Sequence, residues 1–470
     1  MIIVTRKLDP EDFGLWTLIG SIVTYVTIVE PIVTYWTTRQ IARGEKIGKT
    51  SLFTSGLFSA GGVLVYFVIA IFVSFALGVD LFVLLLASAL IPLFFVNNIL
   101  NSICIGFRPQ AVSYGLIAFE TSKIPAGLIF VFFAQLGIIG VIITIIIANI
   151  IKMSILVILA KEQLTGSIKK ESLKFWLRTS WLSLYRSTHG LIYKLDVLIF
   201  SLTTNSLVGL AFWASASAAS NYVVSAGSIS QGLYPKLIAT KKNEYAIENL
   251  KRTLYFAIPI LGATVVFAKP ALHILNPFYI DGALIVIILG FRAFVNLLTG
   301  FFYNILESYE SVDRDKEAPF RQYLKSQLFL VPTLKLAFSG IYVGILGMFL
   351  ISVISQDLMP VEMVTNWAFI ILITNIPFMI YAMIIVKKKF DIYLPFKEII
   401  QYSSVTLLFS IIIYFISDIV LTYPDSIYDF LPQVIPLAIL GGLIYFGITY
   451  VISNSVRIFF KSILKEMFKK

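Results

Sequence analysis

The sequence predicts an all-α polytopic membrane protein, because it is strongly apolar and its apolar runs are long and numerous. Hydrophobic residues make up 58% of its 470 residues and charged residues 13%, whereas a soluble domain is about 45–50% apolar and about 25% charged. Many separate runs exceed about 18 residues, the length at which a helix can cross a bilayer. Their number favours a polytopic protein over a single anchor or a signal peptide.

Apolar length, together with the charged, proline and glycine breaks, divides the chain into about thirteen predicted spans. Their approximate positions are 13–37, 51–75, 81–105, 110–133, 138–160, 181–203, 206–234, 253–275, 282–306, 328–354, 364–386, 398–421 and 430–452. Lys and Arg collect in one set of alternate loops and are absent from the set around Asp80, Gln135, Asn205, Asn276, Asp357 and Asp425. Basic loops are typical of the cytoplasmic side, so we predict a cytoplasmic C-terminus.

This segregation also explains most of the net charge of +11, so no nucleic-acid partner is expected. Counting back through the spans places the N-terminus outside, where Arg6 and Lys7 break the charge rule. The opening residues MIIVT resemble the tail of a helix, and we therefore predict a truncated first helix.

No inter-span loop exceeds about 25 residues, which leaves no room for a soluble catalytic domain. The sequence contains no P-loop and no HExxH motif, and it places no acidic pair on an outer loop of catalytic size. A lone cysteine, Cys104, excludes an intrachain disulfide and a cysteine metal site. We therefore expect neither an enzyme nor a cofactor, and we interpret Cys104 as a small buried residue.

Two pairs of segments indicate a weak internal repeat. KLDPEDFGLWTLIGSIVTYV from Lys7 pairs with SLTTNSLVGLAFWASASAASNYVV from Ser201, and IIIANIIKMSILVILAKE pairs with ILITNIPFMIYAMIIVKKK. Small residues that allow close helix packing are the simpler explanation of the first pair. Parallel repeats are otherwise a transporter architecture, with the substrate site at their interface.

The segment LDPEDFGLW at residues 8–16 resembles the one that follows the first helix in lipid-linked oligosaccharide flippases. These form the polysaccharide-exporter branch of the superfamily of multidrug, oligosaccharidyl-lipid and polysaccharide exporters. KLDVL at 194–198, followed by Gly209-Leu210, is similar to the opening of that family's second lobe, and Tyr234-Pro235 is similar to the end of its next helix. The resemblance covers nearly the whole chain in the number and order of spans.

The resemblance implies two pseudo-symmetric lobes plus two extra C-terminal helices. The N-terminal lobe would occupy residues 1–162, with about five spans, and the C-terminal lobe residues 163–390, with about six. Residues 391–470 would hold two further spans and a basic cytoplasmic tail. The implied function is flipping of a polyprenyl-phosphate-linked or pyrophosphate-linked oligosaccharide from the cytoplasmic to the outer leaflet of the cell membrane, by alternating access. The implied partners are this lipid-linked glycan, membrane lipids and enzymes of polysaccharide biosynthesis.

Charged residues within the spans are the candidate functional residues. They are Lys123, Lys152, Arg186, Lys194, Lys269, Arg292 and Lys335, with Glu30, Glu120 and Asp196. If all of these residues faced lipid, their insertion would cost about 25–35 kcal/mol on the insertion scale. This free energy exceeds a typical net stability of about 5–15 kcal/mol. Most must therefore face protein or water, while Lys152, Lys269 and Lys335 lie where snorkelling to the interface is the simpler interpretation.

We predict that Lys123, Arg186, Lys194 and Arg292 line a cationic lumen, since surplus positive charge suits the phosphate of a lipid-linked sugar. Glu120 lies three residues before Lys123, so a local ion pair is the alternative for both. On a continuous helix Lys194 and Asp196 would point about 160° apart, so only one of them can face the lumen. Arg186 is then the candidate anion contact on the cytoplasmic side.

Glu30, Glu120 and Asp196 are candidate coupling or proton sites, because burial without a cation raises a carboxyl pKa. Glu30, which precedes Pro31, could instead reach the cytoplasmic headgroups. His189 is interpreted as a helix-packing residue. The alternative functions are a cation-coupled multidrug exporter of the same fold and, with less support, a membrane glycosyltransferase or polymerase, or a non-transporting scaffold.

Overall fold

A computed structural model of the chain describes residues 10–77, 80–204, 207–230, 233–240, 242–315, 319–353, 358–458 and 460. Helices account for nearly all of these residues, and no strand occurs among them. The predicted all-α class is therefore confirmed. The prediction of a truncated first helix rests on residues 1–5, which lie outside the described part of the chain.

The described residues form the following α-helices, numbered in chain order. The first ten are α1 (Pro10–Val26), α2 (Pro31–Ala42), α3 (Gly48–Leu77), α4 (Leu81–Ala87), α5 (Leu90–Phe107), α6 (Gln110–Gly127), α7 (Gly137–Ala160), α8 (Lys170–Arg178), α9 (Ser180–Tyr193) and α10 (Leu195–Thr204). The others are α11 (Leu207–Ser220), α12 (Tyr222–Ser225), α13 (Leu233–Thr240), α14 (Asn243–Val266), α15 (Ala268–Leu275), α16 (Ala283–Ser308), α17 (Phe320–Leu324), α18 (Gln327–Val353), α19 (Pro360–Phe390), α20 (Phe396–Val420) and α21 (Ile427–Ile452).

Nine helical segments within the described residues are long and apolar enough to cross a membrane. They are Gly48–Phe75, Leu81–Phe107, Gln110–Phe133, Gly137–Gln163, Pro277–Ser308, Gln327–Val353, Pro360–Phe390, Phe396–Val420 and Ile427–Ile452. All nine coincide with predicted spans. A tenth predicted span corresponds to α14 and α15, which are bent by 70° at their junction. These segments make the chain a multi-pass membrane protein.

The remaining three predicted spans, at 13–37, 181–203 and 206–234, are each divided into shorter helices. In the first, Pro31 begins α2, where its missing N–H removes no hydrogen bond within that helix. In the second, Lys194 lies in a turn between α9 and α10. The total of thirteen spans therefore stays a prediction.

The chain forms two compact units. Unit 1 comprises Met1–Tyr193, Gln231–Lys242 and Asn304–Gly340, and unit 2 comprises Lys194–Ser230, Asn243–Tyr303 and Ile341–Lys470. Unit 1 has an apolar core in which Trp36 of α2 and Trp176 of α8 are fully buried. Gly106 of α5 permits close packing there, since a Cβ at this position would lie 2.9 Å from the Thr38 carbonyl oxygen. Helices from distant parts of the sequence thus converge in one core.

Outward faces of the long helices are apolar as well. On α3, for example, Val68, Phe72 and Phe75 are exposed by 70% or more. Soluble monomers rarely expose contiguous apolar surface of this kind. These faces are suited to contact with lipid tails, in agreement with the multi-pass assignment.

Candidate functional site: a buried ion-pair cluster

Arg39 is the centre of a polar cluster inside unit 1. It lies in the last turn of α2, where a cation interacts favourably with the helix dipole, and it is fully buried. Its Nε and Nη2 donate to the two carboxylate oxygens of Asp313 at 2.6 and 3.0 Å. Its other N–H groups donate to the Tyr234 hydroxyl at 2.7 Å and to the backbone carbonyls of Glu307 and Glu310 at 2.8 and 3.1 Å. All five guanidinium donors are therefore satisfied.

Asp313 is shared between two arginines. Arg43, one turn after Arg39, donates to both Asp313 carboxylate oxygens at 2.9 and 2.8 Å. Each oxygen thus accepts two hydrogen bonds, the full capacity of a carboxylate. Burial alone would raise the pKa of Asp313, but the two guanidinium groups outweigh it and lower the pKa from 3.8 to about 2. The carboxylate is therefore charged at neutral pH.

The turn that carries Asp313 is held in place by a neighbouring carboxylate. Glu310 accepts hydrogen bonds from the backbone N–H groups of Ser311, Val312 and Gln327, at 2.8, 3.2 and 2.8 Å. These bonds fix the short 3₁₀ turn Val312–Arg314 and connect it to the start of α18. The carboxyl group of Glu310 thus positions Asp313 rather than pairing with a cation.

A second ion pair lies in the same unit and involves the predicted anion contact, Arg186 of α9. Its guanidinium pairs with the buried carboxylate of Glu307 and lies over the Tyr35 ring, 4.2 Å from the ring centroid. Lys335 of α18, half-buried, interacts electrostatically with both members of this pair. Arg186 therefore contributes to a group of charges of both signs, next to an aromatic face that favours cations.

The Tyr35 hydroxyl is buried and has no hydrogen-bond partner among the described residues. A buried polar group without a partner is uncommon in native structures and requires an explanation. The Tyr35 hydroxyl belongs to the ring that Arg186 covers, so this polar group lies next to the Arg186–Glu307 ion pair.

Four other residues of unit 1 that the sequence singles out lie outside this cluster or make contacts within a single helix. Lys123 pairs with Glu120 at 2.7 Å on α6, the local pairing that their spacing predicts. Glu30, just before α2, accepts a hydrogen bond of 2.6 Å from Asn98 of α5. His189 contacts the Arg186 carbonyl oxygen at 2.7 Å within α9, as expected of a helix-packing histidine.

Unit 2 buries a different polar group, built around Asp196 at the start of α10. Its Oδ2 accepts from the Tyr342 hydroxyl at 2.8 Å, and its Oδ1 accepts from the Val197 backbone N–H at 2.7 Å. The Tyr342 hydroxyl in turn accepts from the Trp367 indole N–H at 2.6 Å. Trp367 stacks against Trp213 with ring centroids 3.8 Å apart. The carboxylate is thus hydrogen-bonded to a hydroxyl, which in turn is hydrogen-bonded to one ring of an aromatic stack.

The last two predicted lumen residues also belong to unit 2. Arg292 of α16 is half-buried and interacts electrostatically with Asp196, so the structure brings these two candidates together. Lys194 is exposed in the turn between α9 and α10. Because the helix is interrupted there, the angle expected between Lys194 and Asp196 on a continuous helix does not apply.

Sequence reasoning missed the most completely bonded members of the unit 1 cluster, Arg39, Arg43, Glu307 and Asp313. All four lie outside the predicted spans, so a count of charged residues within spans does not include them. Two patterns could have identified them: the arginines lie four residues apart on one helical face, and Glu307, Glu310 and Asp313 recur every three residues within a basic loop. Like charges at such spacing repel each other, so each group indicates a need for counter-charges from elsewhere in the chain.

No protein-family model matches the sequence, and no curated protein matches it. Solved structures are similar in fold. The MATE transporter VcmN of Vibrio cholerae in its bent form has 17% identity and a TM-score of 0.56, covering 80% of this chain and 86% of its own. A second MATE structure in the bent conformation has 13% identity and a TM-score of 0.58, covering 83% and 89%.

The Lipid II flippase MurJ in an inward closed conformation covers 93% of this chain and 98% of its own, with 16% identity and a TM-score of 0.50. The TM-scores show that these structures share an all-helical fold with this chain. The low identities support no closer relationship. Because one fold can serve several functions, they do not by themselves assign one to this chain.

Proposed function

We propose that the chain is a membrane transporter that flips a polyprenyl-phosphate-linked or pyrophosphate-linked oligosaccharide from the cytoplasmic to the outer leaflet by alternating access. It would lie in the cell membrane with its C-terminus in the cytoplasm, near the enzymes that make its substrate. The observation that carries the proposal is a surplus of cations over carboxylates in the buried cluster of unit 1.

The surplus follows from the contacts. The cations are Arg39, Arg43, Arg186 and Lys335. The carboxylates are Asp313 and Glu307, which face them, and Glu310, which bonds to backbone N–H groups, so cations outnumber carboxylates four to three. An anionic phosphate or pyrophosphate group would balance this charge, whereas a cationic drug would increase it. Arginine's planar fork also matches the geometry of phosphate oxygens.

In an alternating-access cycle the two ion pairs would have different roles. Asp313 accepts four charge-assisted bonds and would hold the closed arrangement. Arg186 has one carboxylate partner and remains partly exposed, so a substrate phosphate could replace Glu307 as its acceptor. The predicted lobes, residues 1–162 and 163–390, would then separate at the cytoplasmic side when the Arg39–Asp313 contact breaks.

One observation favours the second candidate function, a cation-coupled exporter. Glu30 is half-buried and bonds to the neutral Asn98, with no ion pair to it among the described residues. A carboxyl group in such a place can take up and release a proton. Glu30 would be the coupling site of that exporter, and Asp196, close to Arg292, is the other candidate.

The test is flipping of a fluorescent lipid-linked oligosaccharide in proteoliposomes, read by leaflet-specific quenching. Arg186→Ala and Arg292→Ala should each lower the rate about tenfold or more, the effect of losing one charge-assisted hydrogen bond. The matched control is Arg178→Ala, which removes an exposed arginine from the neighbouring α8. Unchanged flipping in both variants would contradict the cationic-lumen model.

A parallel assay with a cationic dye separates the two candidate functions. The flippase predicts transport of the lipid-linked sugar and no dye accumulation by the unmodified protein. Dye transport driven by an imposed proton gradient, and abolished by Glu30→Gln, would instead establish the exporter.

A further inference from the structure

A cavity of about 270 Å³ lies in unit 2, between the first half of α14, the beginning of α20 and the segment that follows α21. It is lined by Glu248, Lys251, Arg252 and Tyr255 of α14, by Tyr402 of α20, and by Ser455, Val456 and Ile458, which follow α21. Ligand pockets for whole small molecules measure about 300–1,000 Å³. This cavity is slightly smaller, so its size suits a single headgroup better than a lipid-linked oligosaccharide.

The cavity presents charges of both signs. Lys251 pairs with Glu398 of α20 at 2.5 Å, and Arg252 pairs with Glu248 one turn earlier on α14. Each cation therefore already has a carboxylate beside it. A purely anionic ligand that displaced Glu398 from Lys251 would leave a carboxylate with 16% side-chain exposure without its counter-charge, which is costly.

The floor of the cavity is aromatic. Tyr255 and Tyr402 are both buried, each with 2% of its surface exposed, and their rings pack edge to face with centroids 5.2 Å apart. The Tyr255 hydroxyl bonds to Thr449 at 3.1 Å. Tyr402 lines the cavity, so its hydroxyl is a candidate donor to a ligand.

We propose that this cavity binds the headgroup of a zwitterionic aminophospholipid, of the phosphatidylethanolamine type. The phosphate would accept hydrogen bonds from Arg252, Lys251 and Tyr402, and the primary ammonium would pair with Glu248 or Glu398. A zwitterionic ligand can pair its phosphate with the cations and its ammonium with the carboxylates. No charged group of either ion pair is then left without a counter-charge. The primary ammonium can also donate to carboxylates, which a quaternary choline group cannot.

The position along the helices agrees with this ligand. Lys251 and Arg252 lie just before one predicted span, Glu398 begins another, and Ser455 follows the last, all on the predicted cytoplasmic side. Headgroups of the cytoplasmic leaflet lie at this depth, next to basic juxtamembrane residues. The inference is independent of which substrate the chain transports.

The test is lipid retention by the purified full-length protein in mild detergent, read by native mass spectrometry. Equimolar phosphatidylethanolamine, phosphatidylglycerol and phosphatidylcholine with identical acyl chains are offered together. We expect preferential retention of phosphatidylethanolamine and its displacement by soluble glycerophosphoethanolamine. Preferential retention of either other lipid, equal retention of all three, or equally effective displacement by inorganic phosphate would each overturn the proposal.

Four variants locate the site. Arg252→Gln should lower phosphatidylethanolamine retention about tenfold, and Tyr402→Phe, which keeps the ring, about two- to tenfold through one lost hydrogen bond. Glu248→Gln should remove the preference for phosphatidylethanolamine over phosphatidylglycerol. The matched control is Lys397→Gln, because Lys397 is exposed beside Glu398 and does not line the cavity.

Retention should be unchanged in the control. An equal loss in Lys397→Gln and Arg252→Gln would indicate general attraction to basic residues and would overturn the cavity site. If Arg252→Gln does not fold, Tyr402→Phe decides, since unaltered retention in that variant contradicts the proposal.

Discussion

Each compact unit buries a carboxylate, and the two units compensate its charge in different ways. In unit 1 Asp313 is enclosed by two guanidinium groups that use both of its oxygens. In unit 2 Asp196 accepts from a neutral hydroxyl and a backbone N–H, and it interacts electrostatically with Arg292. In unit 1 the direct hydrogen bonds to the carboxylate come from charged groups. In unit 2 the direct hydrogen bonds to the carboxylate come from neutral groups.

The difference has consequences for stability. Removing one member of a buried ion pair leaves an uncompensated charge, whereas removing a neutral hydroxyl leaves an unsatisfied dipole. Both groups join distant parts of the sequence, since the Arg39–Asp313 bond spans 274 positions and the Tyr342–Asp196 bond spans 146.

The largest expected effect is that of Asp313→Asn. It leaves the buried guanidinium of Arg39 and the partly buried one of Arg43 without an anion, and breaking a buried pair in this way costs about 3–5 kcal/mol. The free energy of unfolding, measured by denaturant titration in detergent micelles, should fall by that amount. Asp315→Asn is the control, because Asp315 is exposed in the same loop and should change stability by less than about 0.5 kcal/mol. Equal effects would contradict the special role of Asp313.

The second prediction concerns pH. The pKa of Asp313 falls from 3.8 to about 2 on folding, so its stabilisation is fully present above pH 3.8 and is lost as the pH falls towards about 2. This shift corresponds to about 2 kcal/mol at neutral pH. Comparing unfolding free energies of the unmodified protein and Asp313→Asn between pH 5 and pH 2 isolates the contribution. The difference between the two proteins should shrink with acid, and a constant difference would refute the assigned pKa.

Tyr342→Phe tests the neutral arrangement in unit 2. It removes the donor to Asp196 and the acceptor for Trp367, and an unsatisfied buried group costs about 1–3 kcal/mol. We therefore expect a loss smaller than that of Asp313→Asn in the same titration. Tyr414→Phe, at a residue 60% exposed, should be nearly neutral. A loss larger than that of Asp313→Asn would reverse the comparison.

Much of this fold was predictable from the sequence, because span length and apolar composition are local properties. Nine predicted spans coincide with long apolar helices, whereas the break before Pro31 falls inside a span predicted as continuous, 13–37. The break at Lys194 was not predicted, since an apolar run with scattered charges gives no signal for where a helix is interrupted.

The site was less predictable, because its contacts join distant segments. Counting charged residues within spans identified Arg186 and Asp196, but it assigned Arg39 and Arg43 to topology and did not consider Asp313. Basic residues at cytoplasmic helix ends serve topology and pairing alike, and one sequence cannot separate these roles. The partner of Lys123 was predictable for the opposite reason, since Glu120 lies one turn away on the same helix.

The smallest expected effect is at the rim of the unit 2 cavity. The side chains of Arg252 and Glu248 are 42% and 58% exposed, and exposed pairs one turn apart contribute about 0.3–0.5 kcal/mol. Glu248→Gln should therefore change the free energy of unfolding by less than about 0.5 kcal/mol, in the same titration as Asp313→Asn. A loss approaching that of Asp313→Asn would show that exposure does not control the strength of these pairs. With stability nearly unchanged, altered lipid selectivity in Glu248→Gln would be attributable to recognition at the cavity, because a folding defect of that size could not produce it.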